Sequence, residues 1–176
     1  MTGPVMGKLE WKPAAEVPEL LAAPVRDALG ELPAYAAAID AELADTAAFC
    51  AEYDVPMAAS ANCVVVLGKR GGEASYAAVL VLATDRADVN GVIRKHLGVR
   101  KISFAAQDDA VGSTGMEYGG ITPIGLPADW PVLVDEAVVR AGTVVIGSGI
   151  RGSKILIEGT ELAKLPTATV LDLAQH

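Results

Sequence analysis

Histidine and cysteine are scarce in this chain, two of each in 176 residues. Cys50 and Cys63 make neither a disulfide framework nor a zinc site, and read as small buried apolar residues. His96 falls near the end of a predicted helix, where the dipole favours a cation, and His176 is terminal. With these alone, neither a Ser-His-Asp triad nor a metal site is expected. No apolar run approaches the length of a membrane span, so no membrane partner is expected. The opening residues Met-Thr-Gly-Pro-Val-Met-Gly-Lys-Leu-Glu lack the basic region and apolar core of a signal peptide. A reducing cytoplasm is the expected location. There is no visible internal repeat and no low-complexity linker.

Positive charge is also sparse. The 14 Lys and Arg against 22 Asp and Glu leave a net charge of −8, which argues against a general nucleic-acid coat. The imbalance is local, however. Residues 1–60 hold 10 of the acids and 3 of the bases, whereas residues 61–176 hold 12 and 11 and are nearly neutral. The second part therefore keeps room for a local nucleic-acid contact. Its basic cluster is Arg94, Lys95, Arg100 and Lys101, which reads either as a nucleic-acid contact or as a solvated helix end.

What is present is apolar: hydrophobic residues make up 52% of the chain, enough for a real core. The expected organisation is a loose tail over residues 1–13 and a single domain over 14–176. Residues 14–32 read as helix with early prolines, residues 34–40 as a short strand, and Asp45 or Thr46 caps a helix through Tyr53. Asn62–Lys69 and Ser75–Ala83 flank the turn chemistry of Arg70-Gly71-Gly72-Glu73 and read as a hairpin. Asp85 is expected to cap a helix to Leu97 that ends at Gly98. Further strands are expected at 101–105, 131–134, 143–147 and 154–158. Helical turns are expected at 107–111, 135–138 and 161–165, and 168–173 closes the chain. Helices and strands alternate, but several strand pairs have links too short for parallel pairing. The fold class expected is α+β, a mixed and partly closed sheet surrounded by helices.

Two glycine-rich loops stand out. Ser113–Pro127 reads Ser-Thr-Gly-Met-Glu-Tyr-Gly-Gly-Ile-Thr-Pro-Ile-Gly-Leu-Pro, and 147–152 reads Gly-Ser-Gly-Ile-Arg-Gly, with Val-Leu-Val-Asp at 132–135 between them. Without a Cβ, such backbone approaches a ligand closely, or simply serves a tight turn. Gly119, Gly120, Ile121, Thr122, Gly125, Gly147, Ser148 and Gly149 are candidate binding residues on these loops. Thr122 serves a ligand or a turn, and Arg151 serves a phosphate or pins its own loop. Asp135 serves the pocket or caps the helix that follows it. Cys63 has no base partner and should point away from Asn62 by strand alternation.

The order Asn-Cys-Val-Val-Val (62–66), Ser-Thr-Gly…Gly-Gly-Ile-Thr-Pro-Ile-Gly (113–125), Val-Leu-Val-Asp and Gly-Ser-Gly-Ile-Arg-Gly resembles the YbaK/prolyl-tRNA-synthetase-associated domain family, from about residue 35 onward. The resemblance implies hydrolysis of the ester between a wrong amino acid and the 3′ adenosine of a tRNA. It implies no cofactor, no metal and no covalent protein nucleophile. Its partners would be the tRNA acceptor end and an aminoacyl-tRNA synthetase that delivers it. Water or a substrate group attacks, and positioned donors meet the developing oxyanion. The family usually carries a lysine where this chain has Asn62, and some members carry one where it has Ile150. Asn62 then becomes the catalytic candidate, offering amide donors in place of a charge. Three functions fit: a free-standing deacylase, a non-catalytic module binding aminoacyl-adenosine or the tRNA 3′ end, and a hydrolase of another small ester.

Overall fold

The computed structural model describes residues 4–175. The strands lie in two sheets. The first is antiparallel, in the order β1 (Lys12–Pro13), β2 (Tyr35–Ala38), β8 (Ser153–Glu158), β7 (Thr143–Gly147). The second has the order β5 (Lys101–Phe104), β3 (Ala61–Arg70), β4 (Glu73–Leu82), β6 (Val132–Asp135), β9 (Ala168–Leu171). Its β5-β3-β4 half is antiparallel and its β4-β6-β9 half parallel. A parallel bridge between Ser60 and Val145 joins the two sheets. The α+β class and the mixed strand directions are as expected, with the β-structure divided between two sheets.

Strand alternation explains the layering. Leu80 and Val134 of the second sheet face Ile146, Ile155 and Ile157 of the first, and with Val25 of α1 (Ala23–Leu29) they form the largest core. The outer face of the second sheet is covered around Ile93. The outer face of the first presents Ala37, Val145 and Leu156 to Phe49 and Cys50 of α2 (Thr46–Tyr53) and to Trp11. The central strands of each sheet are thus buried on both faces, which is why β8 reads as a near-continuous apolar run.

Three segments differ from the sequence reading. The expected helix over 14–32 is two 3₁₀ turns, Ala14–Glu16 and Pro18–Leu20, before the seven-residue α1. Pro18 starts the second 3₁₀ turn and Pro24 lies in the first turn of α1, because a proline lacks the N–H that would continue a helix already under way. The helix expected from Asp85 begins later, as a π-helical turn over Val89–Ile93 running into α3 (Arg94–Leu97). Its cap is Asp88, whose carboxylate accepts from the N–H of Gly91 at 3.1 Å and of Val92 at 3.2 Å. Ordered packing also starts ahead of residue 14: Trp11 is 4% exposed and its indole donates to Met6 O at 3.0 Å.

Candidate functional site

A cavity of about 540 Å³ opens where the two sheets meet at the Ser60–Val145 bridge. The first residues of β3, the end of β7, one residue of β8 and the start of α2 line it. So do Phe104 at the end of β5, Gln107 and Ala110 of α4 (Gln107–Thr114), and Tyr118, Gly119 and Ile121 of the first glycine-rich loop.

Asn62, Gly119, Ile121 and Gly147 lie on its wall. Asn62 is half-buried, and its Oδ1 accepts a 2.6 Å hydrogen bond from Thr46 Oγ1. The amide oxygen is thereby fixed on α2. Among the described residues nothing accepts from Nδ2, which leaves two donors for a ligand. Cys63 also reaches the wall. Burial pushes its thiol up to about 12, so it holds no thiolate near neutrality.

The remaining candidates form a scaffold behind the wall. The N–H of Gly149 donates to Gly120 O at 2.7 Å, and that of Glu117 to Gly149 O at 2.8 Å. A Cβ on Gly120 would stand 2.7 Å from Ile150 O, and one on Gly147 only 2.6 Å from Gly120 O. The two loops are therefore in backbone-to-backbone contact, and their glycines make that approach possible. The amides of Gly120 and Gly149 are committed, the former to Glu117 O at 2.9 Å, and are not open donors for a ligand. Arg151 locks the same junction: its N–H donates to Glu117 Oε1 at 2.7 Å and its guanidinium to Tyr118 O at 3.0 Å. Ser148 is fully buried and hydrogen-bonds Ile150 O, Ser153 O and Ser153 Oγ. Gly125 packs against the backbone of Pro24. Thr122 is fully buried, and its hydroxyl has no hydrogen-bond partner among the described residues. Asp135 is 1% exposed and stands just before α5 (Glu136–Arg140), yet its side chain makes no cap. Its Oδ1 accepts instead from Leu173 N at 3.1 Å, tying the C-terminal segment to β6.

The residue that the sequence reading passed over is Lys154. It lines the cavity from β8, opposite Gly147 in the β7–β8 register, and is 7% exposed. Its ammonium donates to Ala44 O at 3.0 Å and stands 5.2 Å from the centre of the Phe49 ring. Burial holds its pKa below the ordinary lysine value; nearby Arg151 adds to that, while Cys50 and Asp45 oppose it. An ammonium has three donors, and Ala44 O takes one. The alternation in Ser153-Lys154-Ile155-Leu156-Ile157 carries the signal. Ser153, Ile155 and Ile157 enter the main core, and Leu156 shows that the other face is covered as well. The lysine on that second face is then buried.

This two-sheet α+β fold, with a cavity between a β3 polar residue and a glycine-rich loop, has known counterparts. The sequence profile of the aminoacyl-tRNA editing domain matches residues 40–165, and the chain belongs to that family. The uncharacterized protein YwhH of Bacillus subtilis (strain 168) is 30% identical over 99 residues, which span 56% of this chain and 62% of that protein. A crystal structure of a proposed trans-editing enzyme for prolyl tRNA synthetase superposes with a TM-score of 0.75 at 22% identity, over 88% of this chain and 97% of the other. The structure of hypothetical protein APE2540 gives 0.66 at 23% identity, over 75% and 85%. At these identities the two structures establish the shared fold. No helix among the described residues is long and apolar enough to cross a membrane.

Proposed function

We propose that the protein is a deacylase that hydrolyses the ester of a mischarged tRNA. The observation that carries this reading is Lys154. The lysine usual in the family is absent at residue 62, which by itself favours a binding-only module; Lys154 brings a lysine to the same cavity from β8.

The reaction needs little from the protein beyond placed donors. Water adds to the ester carbonyl carbon, and the carbonyl π electrons move onto the carbonyl oxygen. That oxyanion is met by the Lys154 ammonium and by the Nδ2 donors of Asn62. When the carbonyl re-forms, the C–O bond to the ribose breaks and the ribose oxygen takes a proton from the attacking water. Free amino acid and a tRNA with a free hydroxyl leave. Asn62 is the candidate catalytic residue together with Lys154. Thr46 orients Asn62, and Ile121, Gly119 and Gly147 shape the wall that receives the aminoacyl-adenosine. A cavity of about 540 Å³ lies within the range of small-molecule sites.

The test is a panel of charged tRNAs, mischarged tRNAs of the prolyl system first, incubated with purified protein. Ester loss faster than in buffer, and its disappearance in Lys154→Met, is the expected result. Saturable binding of an aminoacyl-adenosine analogue without turnover of any panel member overturns hydrolysis in favour of a binding module. Turnover of small esters but of no tRNA points to the third function.

A further inference from the structure

We infer that the basic groove between α3 and the edge strand β5 holds backbone phosphates of the RNA strand whose 3′ end enters the cavity. The identity of that strand rests on the aminoacyl-tRNA reading above; the groove's preference for a polyanion rests on the groove itself. It is a concavity of about 590 Å³ whose charged lining residues are Lys69, Arg94, Arg100 and Lys101, with no acid among them. In a chain of net charge −8 this is an unusual concentration of positive charge.

Lys69 and Lys101 are register partners in the antiparallel β3–β5 pair. Like charges directly opposite each other in such a pair are destabilising. Among the described residues no carboxylate makes an ion pair with either of them, or with Arg94 or Arg100. Arg94 is held in place by its Nε–H, which donates to Asn90 O at 2.9 Å. Repulsion left standing in the free protein is relieved when an anion enters, and a row of such positions suits a chain of phosphates.

Strand β5 connects this groove to the cavity. Lys101 and Ser103 line the groove, and the next residue, Phe104, lines the cavity. From Lys101 to Phe104 an extended strand covers about 10 Å, the rise of roughly three stacked nucleotides. Phe104 is 65% exposed and offers a face on which a base stacks. A terminal nucleoside in the cavity thus places phosphates a few nucleotides upstream at the lysines, within the unpaired 3′ end of a tRNA.

The experiment compares wild type with the Arg100→Gln, Lys101→Gln double variant, both changes being at exposed side chains outside the cavity. Binding of uncharged tRNA is measured by fluorescence anisotropy across a salt series, alongside hydrolysis of a charged tRNA and of an aminoacyl-adenosine. The variant is expected to bind tRNA roughly tenfold more weakly, with the salt slope smaller by about 0.7 for each phosphate the protein no longer neutralises. KM for the charged tRNA should rise, and turnover of the aminoacyl-adenosine should stay unchanged. Unaltered tRNA affinity and slope overturn the inference, as does an equal loss on the aminoacyl-adenosine. If wild type hydrolyses neither ester, the deacylase reading fails. The uncharged-tRNA titration then still decides the groove.

Discussion

Thr46 Oγ1 donates to Asn62 Oδ1 at 2.6 Å, so the first turn of α2 sets the orientation of the amide at the start of β3. Thr46 is a positioning residue, because its hydroxyl acts through Asn62. Thr46→Val removes the hydrogen bond and keeps the shape. It should lower kcat by roughly fivefold, the equivalent of about 1 kcal/mol, with little change in KM. Asn62→Ala removes the donors themselves and should lower kcat/KM by about 10²-fold. Equal losses in the two variants would show that Asn62 contributes nothing beyond what Thr46 controls.

Lys154 gives a prediction in pH. Its pKa in the folded protein lies below the unfolded value because burial disfavours the ammonium. The unfolded chain therefore binds more protons between the two pKa values, and stability rises with pH across that window. Below the window the cost of the buried charge is full; above the ordinary lysine pKa it is gone. The groups facing the ammonium are Asp45 and Cys50 on the side of α2 and Arg151 on the second loop. Urea unfolding of wild type and Lys154→Met from pH 6 to pH 10 should show wild type gaining on the variant as pH rises, by about 1.4 kcal/mol per unit of pKa depression. Activity should run the opposite way, since the oxyanion needs the charged form. The alkaline limb of kcat/KM should begin below the ordinary lysine pKa and should move up in Lys154→Arg.

Gly147 separates steric contact from backbone strain. Its φ is not positive, so an alanine fits the backbone, but the new methyl would sit 2.6 Å from Gly120 O and 2.8 Å from Ile121 O. Gly147→Ala should cost about 1–3 kcal/mol in thermal or urea unfolding, as overpacking does elsewhere. Gly152→Ala, where a Cβ meets nothing within 4 Å, is the control on the same loop and should be near neutral.

The hairpin of β3 and β4 and the helix α2 were legible because β-branched runs, a two-glycine turn and the apolar pair Phe49-Cys50 each point one way, although the expected cap of α2 is absent: Asp45 makes no side-chain cap bond and Thr46 turns its hydroxyl to Asn62. The 14–32 segment was not, because helix propensity there competes with prolines whose effect depends on where the chain must turn. The site was half legible. Asn62 and the glycine loops announce themselves by residue type and order. Asp135 has the local setting of a cap, but its partner, the N–H of Leu173, lies 38 residues away, and no local pattern reveals it. Lys154 opens the apolar run Ile155-Leu156-Ile157, and its own charge suggests solvent while the run around it indicates a strand buried on both faces; Phe49 covers the face it shares with Leu156.

Cys63 and Ser148 should not behave as nucleophiles. A thiol with a pKa near 12 is about 10⁻⁴ ionised at pH 8, so alkylation by iodoacetamide should be far slower than for free cysteine. Ester hydrolysis should not fall in step with whatever labelling occurs. Rapid labelling that tracks inactivation would overturn the water-attack mechanism.

The sharpest test asks whether the site's cation has changed strands. If β8 supplies the charge that β3 supplies elsewhere in the family, Lys154→Met should lower kcat/KM by about 10²-fold. Adding Asn62→Lys to that variant should then recover a large part of the loss, because a lysine from β3 reaches the same cavity. Asn62→Lys alone should be worse than wild type. It places a second ammonium in a cavity whose existing one already has a lowered pKa, and it removes the acceptor of the Thr46 hydroxyl. Recovery measured by ester release from the preferred charged tRNA, with Tm recorded for all four proteins, distinguishes exchange of the charge from general damage. A double variant no more active than Lys154→Met, yet equally stable, would mean that Lys154 acts from a position residue 62 cannot reach, and the idea of a relocated cation would fall.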